Sequence, residues 1–128
     1  MRKTRNNHQS IAPTIGNYVR SIRAGDMLFI SGCTAVNTPA EAADVLTQAK
    51  VTLDRIKRIV EAEGGKPSDV VRMVIYVTDM PAFRPLISKF DALVEEVFKG
   101  QYPTSTLVAS PGLARAGLKI EIEATAAF

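Results

Sequence analysis

Residues 118–127 set the strictest condition on the fold. Leu118, Ile120, Ile122, Ala124 and Ala126 alternate with Lys119, Glu121, Glu123, Thr125 and Ala127. Successive side chains on a strand point to opposite faces, so this stretch has one apolar face and one largely polar face. Such a strand needs partner strands beside it and an apolar layer over one face. The chain supplies both. Val70 to Val77 is apolar on both faces apart from Arg72 and the Tyr76 hydroxyl, which predicts a covered central strand. Leu46, Ala49, Leu53, Ile56 and Val60 recur at helical spacing, and so do Leu86, Phe90, Leu93 and Val97. These are two helices, each with one apolar face for the sheet.

Local signals mark the boundaries. Thr38-Pro39-Ala40-Glu41 has the form of a capping box with proline at the first helical position. Gly64-Gly65, followed by Pro67, reads as a stop, which predicts a helix over 39–63. Pro81 and Pro85 confine the start of the second helix, and Gly100 closes it. Asn17–Arg23 and Met27–Ser31 read as strands of a hairpin turning at Ala24-Gly25-Asp26, and Thr104–Ser110 as a further strand. Residues 1–10 show no period and are expected to be a mobile basic tail, leaving 11–128 as one domain. The order ββ-α-β-α-ββ predicts an α+β fold with two helices on one face of a sheet. Pattern alone leaves the strand order open.

Composition removes several function classes. A chain of 128 residues is one domain. Its net charge of +3 is carried by Arg2, Lys3 and Arg5, so the rest holds as many basic as acidic residues. A nucleic-acid partner is therefore not expected, because it calls for a basic patch on folded elements. Cys33 is the only cysteine and His8, near the N-terminus, the only histidine. A disulfide framework, a cysteine or histidine metal site and a Ser-His-Asp triad are all excluded. No apolar run approaches the ~20 residues of a membrane span, and no apolar segment follows the basic N-terminus. A cytoplasmic protein with no membrane partner is expected.

Five stretches, in order, resemble the Rid family (reactive intermediate deaminases, also called YjgF). They are Ala12-Pro13-Thr14-Ile15-Gly16-Asn17-Tyr18, Gly25 to Gly32 (GDMLFISG), Gln48 to Asp54 (QAKVTLD), Ser68 to Arg72 (SDVVR) and Lys119 to Ala124 (KIEIEA). The resemblance implies a chorismate-mutase-like fold, a six-stranded mixed sheet backed by two helices, in a homotrimer with clefts between subunits. It implies hydrolysis of imines and enamines to keto acids and ammonia, with no metal and no cofactor.

The same resemblance supplies candidate residues. Glu121 matches the glutamate that holds and activates water; taken from the pattern alone, it is a residue on the polar face of a strand. Tyr18 matches the tyrosine that closes over the ligand, or is a sheet aromatic. Ser31 and Gly32 match a Ser-Gly pair whose hydroxyl and amides meet the ligand; Gly32 also suits a strand end. Cys33 follows them, either as a cleft-lining thiol or as a small buried hydrophobe. The family's deaminases carry Pro-Ala-Arg-Ser where this chain has Pro103-Thr104-Ser105-Thr106, so Ser105 replaces the arginine that grips a substrate carboxylate. Ile87 stands for an asparagine and Phe90 for a tyrosine. Arg20, expected on the same face of a strand as Tyr18, and Arg115 are candidate replacements for the lost clamp. The expected activity is that of a divergent deaminase or hydrolase using Glu121 and Tyr18, with Ser31, Gly32, Cys33, Ser105, Thr106, Ile87 and Phe90 around a small C–N substrate. The alternative is a ligand-binding or regulatory trimer without chemistry.

Overall fold

The alternating C-terminal stretch lies inside the sheet in the computed structural model, which describes residues 1–128. The strands are β1 (Lys3–Asn6), β2 (Ser21–Ala24), β3 (Met27–Cys33), β4 (Val70–Val77), β5 (Thr104–Ala109) and β6 (Ile120–Ala127). The helices are α1 (Val45–Ala62), the single turn α2 (Met80–Phe83) and α3 (Ile87–Phe98). The sheet runs β1-β2-β3-β6-β4-β5, and every pairing is antiparallel except β4 with β5. The six-stranded mixed sheet and its two main helices are as the resemblance implied.

Alternation along β6 decides which face is covered. Ile120, Ile122, Ala124 and Ala126 are buried, while Glu121, Glu123, Thr125 and Ala127 are partly exposed on the other face. The buried row packs in one core with Leu53, Ile56, Ile59 and Val60 of α1 and with Phe90 and Phe98 of α3. Each fully buried Leu, Ile or Val there contributes about 1.5–3 kcal/mol. β4 spans Val70–Val77 as its apolar run predicts, and Met73, Ile75 and Val77 belong to the same core. Ala24 pairs with Met27, so Gly25-Asp26 is a two-residue hairpin loop, and Gly25 takes the positive φ of 60° that such a loop needs.

Three boundaries differ from the sequence reading. The first helix begins at Val45, not at Pro39. The Thr38 hydroxyl accepts from the Ala40 amide at 3.2 Å and donates to Ala35 O at 2.6 Å, while Glu41 Oε1 accepts from the Asn37 amide. These bonds close a turn before the helix. Asp44 is the N-cap, accepting from the Thr47 amide. Buried Gln48 anchors the helix start by donating to the carbonyls of Glu41, Ala43 and Gly117 and accepting from the Lys119 amide. In the second case β2 starts at Ser21, so Asn17 and Tyr18 lie in a loop and not on a strand.

The third difference is the N-terminus. Residues 3–6, expected in a mobile tail, form β1 on the free edge of β2, from Lys3 opposite Ala24 to Asn6 opposite Ser21. Their four side chains are exposed, so the strand rests on backbone pairing and leaves no hydrophobic period to read. His8 is docked as well. Its Nε2 donates to Glu63 Oε1 at 2.7 Å, and Asn6 Nδ2 and the Ser21 hydroxyl donate to the same oxygen. Burial pushes the Glu63 carboxyl up, but these bonds outweigh it and hold it below its ordinary value. No helix is long and apolar enough to cross a membrane.

A carboxyl with a lowered folded pKa adds stability above its unfolded pKa of about 4.3 and loses it as pH falls through the folded value. Glu63→Ala is expected to cost about 2 kcal/mol at pH 7. Thermal unfolding of both proteins from pH 7 to pH 3 should show the gap narrowing at acid pH.

Candidate active site

A buried cation organises the region around Glu121. Arg20 lies just before β2, and its side chain turns into the protein, where the residue is only 2% exposed. Its Nε donates to Ala12 O at 2.9 Å and its Nη2 to Pro13 O at 3.2 Å. Its Nη1 donates to Gly32 O at 2.6 Å and, more weakly, to Ser31 O. A buried guanidinium costs several kcal/mol unless its donors are satisfied, and here carbonyls satisfy them. The loop before β2 is thereby held against the end of β3.

At that end β3 bulges. Ile30 pairs with Ala124 and Cys33 with Ile122, so Ser31 and Gly32 have no partner residue on β6. The Glu121 carboxylate packs directly on Gly32. A Cβ built there would lie 2.7 Å from Glu121 Cδ, inside any real contact, so only glycine leaves the carboxylate its place. Burial raises the Glu121 carboxyl above its ordinary value; Arg20 pulls against this and Glu123 adds to it. Glu121 is thus a half-buried carboxylate facing the open side of the sheet, not a solvated residue.

The neighbours take defined roles. The Ser31 hydroxyl donates to Val19 O at 2.7 Å, which leaves its oxygen free to accept from a ligand. Tyr18 is 43% exposed, and the Arg20 guanidinium lies 5.6 Å from its ring centre. Cys33 departs from the cleft-thiol expectation: its side chain is in the core, and burial pushes the thiol up to about 11. It is a neutral, unreactive hydrophobe at physiological pH. Arg20 is corrected too, because its donors are committed to backbone carbonyls. Arg115 donates to Asn37 Oδ1 and Glu41 Oε1, both at 3.0 Å, and is held at the surface there.

The remaining candidates do not join Glu121 within one chain. Ser105 pairs with Met73 and shares the helix-covered side of β5, where it lines a cleft of about 370 Å³ with Met73, Phe90 and Val94. Phe90 is buried and meets Phe83 edge-on. Ile87 is exposed in the first turn of α3. Thr106 pairs with Val74, which pairs with Glu123, so it lies on the open face but two strands from β6. Two residues were missed. Arg55 is buried and donates to Thr34 O and Val36 O, fixing the segment after β3. Tyr76, opposite Glu121 in register, donates its hydroxyl to Glu123 at 2.6 Å. Only the Tyr76 hydroxyl on an otherwise apolar strand gave a sequence signal; the Arg55 contacts are long-range.

Residues 9–128 match the family described as Endoribonuclease L-PSP. The chain belongs to this family, which is also called Rid or YjgF. A Rid relative, the 2-iminobutanoate/2-iminopropanoate deaminase of Escherichia coli K12, is 37% identical over 114 residues, covering 88% of each chain. The crystal structure of E. coli TdcF with bound serine superposes with a TM-score of 0.82 at 30% identity, covering 98% of this Rid chain and 99% of that one. Rv2704 of Mycobacterium tuberculosis superposes with a TM-score of 0.80 at 27% identity, covering 99% and 100%.

A carboxyl with a raised folded pKa favours the folded Rid chain below its unfolded pKa of about 4.3, and that advantage is lost as pH rises through the folded value. Glu121→Gln should therefore raise Tm at pH 7, and the gain should vanish near pH 4. Thermal unfolding at the two pH values reads this directly.

Proposed function

We propose that this protein is an imine and enamine deaminase in which Glu121 handles the protons. The observation that carries the reading is the half-buried Glu121 carboxylate seated on Gly32, at a bulge that Arg20 holds in shape. An imine carbon is already electrophilic, so water attack needs orientation and a proton acceptor rather than a nucleophilic triad. Ionised Glu121 takes a proton from water as the oxygen bonds to the imine carbon. Glu121 passes that proton to the imine nitrogen, giving a neutral carbinolamine, then takes the hydroxyl proton and delivers it to nitrogen as the C–N bond breaks, so that ammonia leaves and a carbonyl product remains. A carboxyl raised by burial suits both halves of this cycle. The Ser31 oxygen accepts from the substrate N–H, the backbone at Gly32 and Cys33 lines the site, and Tyr18 covers it.

The active assembly in this reading is a homotrimer. Glu121 and Ser31 lie at the β3–β6 side of the open face, whereas Ser105 and Phe90 line a cleft on the helix-covered side at the β5 edge. A second copy that brings its β5 edge, with Ile87 and Thr106, to the first copy's Glu121 makes one cleft from both groups. Phe29, 49% exposed on the open face, is the kind of apolar residue such contact covers. The excess positive charge of Arg2, Lys3 and Arg5 sits on or beside β1, at the far edge from β5. A small-molecule substrate therefore suits the site better than a nucleic acid. A reduced Cys33 fits a cytoplasmic location.

Two measurements test this. Ammonia release from imines generated in situ should fall about 10²–10⁴-fold in Glu121→Ala. Equal rates for the two proteins would remove the mechanism and leave a ligand-binding trimer. Sedimentation equilibrium should give ~42 kDa, three chain masses in a cyclic assembly; one chain mass would remove the shared cleft.

A further inference from the structure

The cleft beside Ser105 differs in chemistry from a carboxylate site. It lies between α3 and the β4–β5 edge, holds about 370 Å³ and is lined by Met73, Ile75, Phe90, Val94, Tyr102 and Ser105. That volume is in the range of small-ligand pockets, about 300–1,000 Å³. Its walls are mostly apolar, and the one carboxylate among the lining residues is that of Asp91. Tyr102 donates its hydroxyl to Glu95, a second carboxyl group nearby. No lysine or arginine lines it. The Ser105 hydroxyl makes no bond to the protein and is exposed.

The two arginines that were candidates to replace the lost clamp are held elsewhere. Arg20 is committed to Ala12, Pro13, Ser31 and Gly32, and Arg115 to Asn37 and Glu41. A substrate carboxylate placed here would be desolvated against apolar walls and would face Asp91 with no counter-charge. Both effects oppose binding.

We infer that the Ser105 cleft receives an apolar, uncharged substituent of the substrate, so that the preferred substrates are carboxylate-free imines bearing an aromatic or branched aliphatic group. This rests on the deaminase reading above for its turnover, though not for its binding. The ring would lie against Met73, Val94 and Phe90, with Ser105 offering one hydrogen bond at the rim. The reaction on the simplest such compound balances: phenylmethanimine plus water gives benzaldehyde and ammonia, with no oxidant or reductant consumed.

The test compares phenylmethanimine, released from benzylamine by an amine oxidase, with 2-iminopropanoate, released from alanine by an amino-acid oxidase. Wild type should favour phenylmethanimine in kcat/KM by at least about tenfold, the size expected when a charge lacks its partner. Ser105→Arg, at an exposed position, should reverse the preference. Val94→Trp, which fills the cleft, should depress turnover of phenylmethanimine more than that of the smaller imine. Equal or opposite preference in wild type overturns the inference even if Glu121→Ala is inactive. If wild type hydrolyses neither imine, the deaminase reading fails by itself and binding decides the cleft. The methyl resonance of Met73 should then shift with benzamide and stay unmoved by 2-oxobutanoate. A shift with 2-oxobutanoate, or none with benzamide, overturns the inference.

Discussion

The Arg20 guanidinium is the contact on which the rest of the candidate site depends. It is buried, has no carboxylate within bonding distance, and is stabilised chiefly by carbonyl dipoles, with weaker contacts to Cys33 Sγ and the Tyr18 ring. Each charge-assisted bond of this kind is worth about 1.5–3 kcal/mol, so several are needed to hold the ion out of water. Those carbonyls belong to two segments distant in sequence, 12–13 and 31–32. The cation therefore welds the entry loop to the β3 bulge. Arg55 does the same one step further on, through Thr34 O and Val36 O. Two cations thus fix the backbone from Ser31 to Val36 without offering charge to a ligand.

Glu121 depends on that fixed backbone. A carboxylate half out of water has lost part of its hydration and is raised for that reason. The same burial that costs folding energy brings the group nearer to the pH at which it can both take and return a proton. Gly32 makes the burial possible, because a side chain there would overlap the carboxylate. Arg20 limits the rise, which keeps a larger fraction ionised. The site is a balance between desolvation and one buried positive charge.

The fold was legible wherever side chains carry a period. The β6 alternation, the β4 run and the buried faces of α1 and α3 are all in the sequence, because burial on a strand or helix repeats with its geometry. The helix start was not, since Thr38 and Glu41 have the composition of a cap but bond within a turn. Strand β1 was not, because backbone pairing leaves no mark on residue type. At the site, Glu121, Ser31, Gly32 and Tyr18 were legible only through family resemblance. The fate of Arg20, Arg55 and Cys33 was not, because their partners are carbonyls and core contacts set by tertiary structure. An arginine in a sequence does not say whether its charge faces a ligand or the backbone.

That distinction bears on how this member of the family diverges. The arginine absent at 105 is not replaced by another cation at the same place, since both candidates are bonded elsewhere. What the structure holds there instead is volume between α3 and β5, bounded by Met73, Phe90 and Val94. Removing a long charged side chain from an edge strand leaves the fold intact, because β5 pairs with β4 through its backbone and its register does not depend on residue 105. The core under β6 and the carboxylate on Gly32 are likewise untouched by that exchange. In the proposed mechanism water activation and substrate selection therefore reside on different strands and different faces of the sheet, so that selection could change at β5 and α3 while the proton chemistry on β6 stayed the same.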